Sequence, residues 1–332
     1  MSRLLTLLIV VALAAALAYG GARHLVERAQ VPMPAGETRV VISKGSSVRG
    51  VAAALRAQGI EVSPELLLLR YRWRKLDGQL KAGTYAFSAP QTIDSLLDRF
   101  VSGDTVLETI RFVEGWTFRQ MRAAVDAHPE LVRDTAGLDD AELLKRIGAG
   151  ETRAEGLFMP ETYGFAPGTS DLDIYRQAYR LMQQRLTAAW EQRQPGLPLE
   201  NPYQALILAS IVEKETGQPA ERPLVAGVFI NRLRIGMMLQ SDPTTIYGLG
   251  ERFDGNLRRR DLRADTPYNT YTRGGLPPTP IALPGSASIE AVLNPADTKA
   301  LYFVARGDGS SEFSNNLADH NRAVARYQLK RK

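Results

Sequence analysis

Two glutamates close together in an apolar surrounding are the first residues in this chain that could do chemistry. They lie in Tyr203-Gln-Ala-Leu-Ile-Leu-Ala-Ser-Ile-Val-Glu-Lys-Glu-Thr-Gly217, which is apolar almost all round until Glu213. A helix apolar on every side is a buried helix. A carboxyl on its last turn loses water, and desolvation favours the protonated form that a general acid requires. Spacing separates the two acids. Positions three, four and eight before Glu213 are Ser210, Ala209 and Ala205, a face of small side chains with room for a ligand groove. The matching positions before Glu215 are Val212, Ile211 and Ile207, which point into packing. Glu213 is therefore the better candidate. On spacing alone, a structural salt bridge with Lys214, Arg222 or Arg232 outweighs the catalytic role, because perturbed carboxylates are often structural.

The rest of the composition narrows the chemistry by exclusion. No cysteine is present, which removes disulfides, thiolate metal sites and thiol nucleophiles together. The three histidines, His24, His128 and His320, are too scattered for a zinc motif, so no metal is expected. A net charge of +5 from 41 basic and 36 acidic residues leaves no long basic block, and no nucleic acid partner is expected. The cluster Arg258, Arg259, Arg260 and Arg263 reads as a solvated loop. A lone histidine such as His320 more often makes a structural hydrogen bond than performs catalysis.

The elements that must position Glu213 begin behind an apolar N-terminus. After a tail of residues 1–3, the stretch Leu4 to Ala22 carries no charge and is just long enough to span a bilayer at about 20 residues. A cleaved signal peptide is the competing reading, since Ala16-Leu17-Ala18 resembles a small-x-small cleavage site. The run exceeds a usual signal-peptide core, which favours a retained anchor with everything after Val26 exported. A proline- and glycine-bearing linker over 23–37 follows.

Folding is expected to start near Thr38. Arg39-Val-Val-Ile42 reads as a strand, Ser47 as a cap, and Val48, Val51, Ala52 and Leu55 as one helix face. Ser63-Pro64 opens a second helix, 83–87 reads as a strand, and Thr92 caps a third helix. This small α/β module occupies 38–108. The pattern of strand, glycine turn, hydroxyl cap and helix returns at Thr109–Val125 through Glu114-Gly-Trp-Thr117, and with its connector fills 109–154. A larger α+β domain takes 155–332, with a long amphipathic helix from about Asp171 to Gln192 ahead of the Glu213 helix.

Several longer motifs carry a resemblance. Ala209-Ser-Ile-Val-Glu-Lys-Glu-Thr216, Val228-Phe-Ile-Asn-Arg-Leu-Arg-Ile-Gly236, Leu239-Gln-Ser-Asp-Pro-Thr-Thr-Ile-Tyr-Gly248, Tyr268-Asn-Thr-Tyr271, Gly275-Leu-Pro-Pro278 and Leu301-Tyr-Phe-Val304 resemble, in order, those of the YceG-like endolytic murein transglycosylase family. Phe313-Ser-Asn-Asn-Leu-Ala-Asp-His-Asn321 resembles the family's C-terminal motif. The resemblance covers nearly the whole chain. It implies one N-terminal span in the inner membrane, a LysM-like module over 38–108, and a lysozyme-related catalytic domain in the periplasm. It also implies that Glu213 is acid and base in cleaving the bond between N-acetylmuramic acid and N-acetylglucosamine, with a 1,6-anhydro product and no cofactor. The muramic acid C6 hydroxyl is then the nucleophile, so the paired carboxylates of ordinary glycosidases are not required.

Around that glutamate, Gln240, Asp242, Thr244, Tyr247, Asn269 and Tyr271 are candidate sugar-binding residues in turn-rich segments. Asp242 is equally readable as a helix cap, and the tyrosines as core residues with bonded hydroxyls. Implied partners are peptidoglycan glycan strands, the membrane and peptidoglycan synthases of the penicillin-binding class. Two rivals stay open: a hydrolytic muramidase using the same glutamate, and a non-catalytic peptidoglycan-binding scaffold for the synthases.

Overall fold

A computed structural model describes residues 3–28 and 30–329. The chain divides into two compact units, one of residues 1–108 with 164–167 and one of residues 109–163 with 168–332. Among the described residues the strands form only two-stranded sheets, so helices dominate a mixed α+β fold.

The first unit begins with helix α1 (Arg3–Arg28), whose apolar side chains Leu7, Leu8, Val10, Val11, Leu13 and Leu17 are exposed. Among the described residues, no helix is long and apolar enough to cross a membrane, so the expected span over 4–22 gains no support from the fold. The strand Thr38–Ile42 pairs antiparallel with Gly83–Phe87, with Val40 opposite Tyr85. Alternation buries Val40 and Ile42 and leaves Arg39 and Val41 outside, as a half-buried strand requires. Between the strands lie α2 (Val48–Ala57) and α3 (Pro64–Trp73), followed by α4 (Ile93–Ser102). Each starts where a hydroxyl accepts an otherwise orphaned N–H: Ser47 from Gly50, Ser63 from Leu66 and Thr92 from Ser95. Their apolar faces meet the strands in one core that includes Val51, Leu55, Leu67, Tyr85, Phe87 and Phe100. Arg70 clasps Asp94 through two bonds of 2.7 Å and ties α3 to α4.

The second unit is built from α5 (Phe118–Ala127), α6 (Asp140–Ile147), α7 (Asp171–Glu191), α8 (Pro202–Glu215), α9 (Arg222–Arg234), α10 (Asp242–Leu249), the short α11 (Arg259–Arg263), α12 (Ser286–Leu293) and α13 (Leu317–Val324). A hairpin of Tyr302–Ala305 and Ser311–Ser314 precedes α13. α8 is the central post, with every residue from Ala205 to Val212 buried. It starts at Asn201, whose side chain accepts from Gln204 N, with Pro202 in the first turn. α7, α9 and α12 pack around it. α9 approaches the 296–298 segment closely enough that a Cβ at Gly227 would sit 2.8 Å from Thr298 Cγ2 and 2.9 Å from Ala296 O.

The small face of α8 is not an open groove. Ala205, Ala209 and Ser210 are fully buried, and Ser210 Oγ accepts from Ile281 N at 3.0 Å while donating to Ile207 O at 2.7 Å. Small side chains here admit another part of the chain to close range, which spacing alone could not distinguish from room for a ligand.

Candidate active site

The geometry around Glu213 follows from where α8 ends. Its side chain is 6% exposed. Oε2 accepts from Gly285 N at 3.0 Å and from Ser288 Oγ at 2.7 Å, both at the start of α12. Oε1 faces Arg222 Nη2 at 3.6 Å. Desolvation is thus opposed by two hydrogen-bond donors, a guanidinium and the positive end of a helix. The salt bridge anticipated with Arg222 is present, and the two donors accompany it.

A second carboxyl joins this cluster. Glu114 Oε2 lies 4.0 Å from the same Arg222 nitrogen, so one guanidinium faces both acids. Burial, then repulsion from Glu213, pushes the Glu114 carboxyl above its ordinary range. Glu114 lies flat against Gly285, where an added Cβ would meet its Oε1 at 1.9 Å. The turn holding Glu114 uses a left-handed Gly115 (φ 76°), whose carbonyl accepts from Lys214 Nζ at 3.3 Å. Gly115 N donates to Leu283 O and Leu283 N to Trp116 O, which stitches the turn to the segment leading into Gly285. The sequence reading assigned Glu114 only to a turn. Its signal was the Glu-Gly pair directly after a strand, and that of Ser288 was the Pro284-Gly285-Ser286 helix start.

Glu215 meets different surroundings. It accepts from Ser241 Oγ at 2.6 Å, and burial pushes its carboxyl up to about 7 despite that donor.

The other six candidates fall into four groups. Thr244 and Asn269 are fully buried and bonded internally. Thr244 Oγ1 donates to Ser241 O at 2.7 Å and lies 2.8 Å from Thr270 Oγ1, and Asn269 Nδ2 donates to Ala264 O at 2.7 Å while its Oδ1 accepts from Tyr271 N at 2.9 Å. Asp242 opens α10 and accepts from Tyr271 Oη at 2.6 Å. Gln240 is exposed and holds a left-handed conformation (φ 49°), with its N donating to Thr270 O. Tyr247 faces elsewhere: its hydroxyl donates at 3.1 Å to Glu155, and both line a cavity of about 270 Å³. Burial pushes the Glu155 carboxyl up to about 7, against donors from Phe118 N and Tyr247. His320 stacks on Tyr302 with ring centroids 5.0 Å apart, and burial lowers its proton affinity.

Comparison with known proteins places this geometry in a family. The YceG-like family matches residues 40–326. The chain is 31% identical to an endolytic murein transglycosylase of Bacillus subtilis (strain 168), over 86% of this chain and 83% of that one. It is 28% identical to an endolytic murein transglycosylase of Streptococcus pneumoniae, over 97% of this chain but only 64% of the relative's own length. A crystal structure of a yceG-like protein from Listeria monocytogenes superimposes with a TM-score of 0.53 at 28% identity, covering 86% of this chain and 98% of that one. With a match that runs from within the strand Thr38–Ile42 to beyond α13, the chain belongs to the YceG-like family.

Proposed function

We propose that this protein is an endolytic lytic transglycosylase of peptidoglycan, with Glu213 as its acid and base. The observation that carries the assignment is the asymmetry of the Glu213 carboxyl. Oε2 is held by two donors, whereas Oε1 faces only a guanidinium beyond hydrogen-bond distance. Oε1 is therefore the oxygen free to carry a moving proton. Protonated there, Glu213 donates to the oxygen linking muramic acid C1 to N-acetylglucosamine, and the C1–O bond breaks. The carboxylate then takes the proton of the muramic acid C6 hydroxyl, whose oxygen closes on C1 as a 1,6-anhydro ring. Glu213 ends protonated, ready for another cycle, and the reaction calls for no metal or cofactor. Mass spectrometry of digested glycan strands tests this: anhydro-muramic ends are expected, and Glu213→Gln should release none.

Glu114 supports one alternative. A second acid near the first is what ordinary glycosidases use as base or nucleophile beside the proton donor, and a hydrolytic product would keep a reducing end heavier by one water. The same mass spectra decide between the two.

The wider setting is also proposed. The charge-free run Leu4–Ala22 supports an anchor in the cytoplasmic membrane, with the rest of the chain on the outer, periplasmic side. Extraction of the protein from membranes by detergent but not by alkaline carbonate is the expected behaviour. The strand-helix-helix-strand order of the first unit supports a LysM-like role in holding glycan, and strand termination would bring the enzyme beside peptidoglycan synthases.

A further inference from the structure

The second unit carries two adjoining cavities, of about 270 and 620 Å³, which share Arg153, Tyr268 and Thr279 in their walls. Their charges are nearly all internally answered. Arg119 pairs with Glu251 at 2.9 Å, and Arg122 bonds to Thr135 O and lies 3.8 Å from Asp140. Glu151 accepts from Tyr179 Oη at 2.9 Å and Gln183 at 3.5 Å, and Glu155 from Phe118 N at 2.8 Å and Tyr247 Oη at 3.1 Å. Arg153 lines both cavities, is exposed, and has no hydrogen bond or ion pair among the described residues. Beside it are the rings of Tyr203 and Tyr268 and the Thr279 hydroxyl, which is bonded to Tyr268 Oη at 2.9 Å. Aromatic surface with a few polar groups suits a sugar, and an unpaired guanidinium calls for an anion that can meet its fork.

Position adds to this. Phe118, whose N–H bonds Glu155, is four residues from Glu114 of the Glu213 cluster, so those two Cα atoms are at most about 14 Å apart.

We infer that the Arg153 cavities form a subsite for the glycan strand beside the cleaved bond, where Arg153 binds a carboxylate carried by a muramoyl residue. This rests on the reading of the protein as a glycan-cleaving enzyme. That carboxylate has two sources: the stem peptide where one is attached, or the lactyl group exposed when the peptide has been removed.

The test uses the full chain with Glu213→Gln, so that binding is read without turnover. Three probes are titrated calorimetrically: a peptide-bearing disaccharide, the same disaccharide with a free lactyl carboxylate, and uncharged chitotetraose. Adding Arg153→Ala should weaken at least one carboxylate probe about tenfold relative to chitotetraose, and Arg153→Lys should recover part of that loss. The probe with the larger dependence identifies the source. Equal weakening of all three probes, or of none, overturns the subsite. The active enzyme supplies a separate arm, in which Arg153→Ala should raise KM on the identified strand type with little change in kcat. Arg153-dependent binding without anhydro products would sink the cleavage reading alone. Cleavage indifferent to Arg153 would sink the subsite alone.

Discussion

Glu213 and Glu215 stand two positions apart on one helix and meet opposite solutions to the same problem. Each loses water at the end of α8. Glu213 is met by a backbone N–H, a hydroxyl and a guanidinium, and a second carboxyl shares its cation. Glu215 is met by one hydroxyl, and its carboxyl rises to about 7. The difference teaches that burial alone does not pick the reactive acid. What sets Glu213 apart is its cluster, a guanidinium shared with a second carboxyl, whereas Glu215 meets one hydroxyl and burial raises it.

The largest test of that contrast is kinetic. Glu213→Gln is expected to lower the release of cleavage products by about 10²- to 10⁴-fold, the range a general acid and base contributes, while Glu215→Gln changes it by less than about tenfold. Turnover on purified glycan strands checks both variants. An inactive Glu215→Gln with an active Glu213→Gln would reverse the assignment.

The next test asks what fixes the Oε2 oxygen. Ser288→Ala removes a fully buried donor to Glu213 and should cost about 1–3 kcal/mol in urea unfolding, as the loss of one partner from a buried hydrogen bond does. A cost near zero would mean that Ser288 only packs there.

Much of the scaffold behind this contrast could be read from residue spacing. Ser47, Ser63, Thr92 and Thr117 all cap the helices they were expected to open, because capping is local and needs nothing from the rest of the fold. The buried character of α8 was legible for a similar reason, since a helix apolar on every side can only be central. The partners of Glu213 were not legible. Glu114 is 99 residues before it and Gly285 72 residues after it, and only tertiary packing brings them together. The open groove expected beside Ser210 failed for the same reason: small residues record close approach without recording what approaches. Thr244 and Asn269 sit within family motifs, yet among the described residues they bond internally, so motif membership alone cannot separate a sugar ligand from a turn lock.

The smallest expected effect concerns Glu215 and pH. Its carboxyl has an ordinary value near 4.5 and rises to about 7 in the folded protein. Between those values the folded protein holds a proton that the unfolded chain has released, so this residue's contribution to stability falls as pH rises through the window. Above about 7 the penalty is complete, and below 4.5 it is absent. Glu215→Gln removes the titration while keeping an acceptor for Ser241. The variant should therefore gain on wild type by an amount growing from near zero at pH 4.5 to on the order of 1–3 kcal/mol at pH 8. Glu155 also rises to about 7, but it titrates alike in both proteins and drops out of the difference. Urea midpoints of the two proteins across pH 4.5–8 measure it. A difference independent of pH would mean that Glu215 stays ionised in the fold, and the two acids of α8 would then not be held in opposite ways.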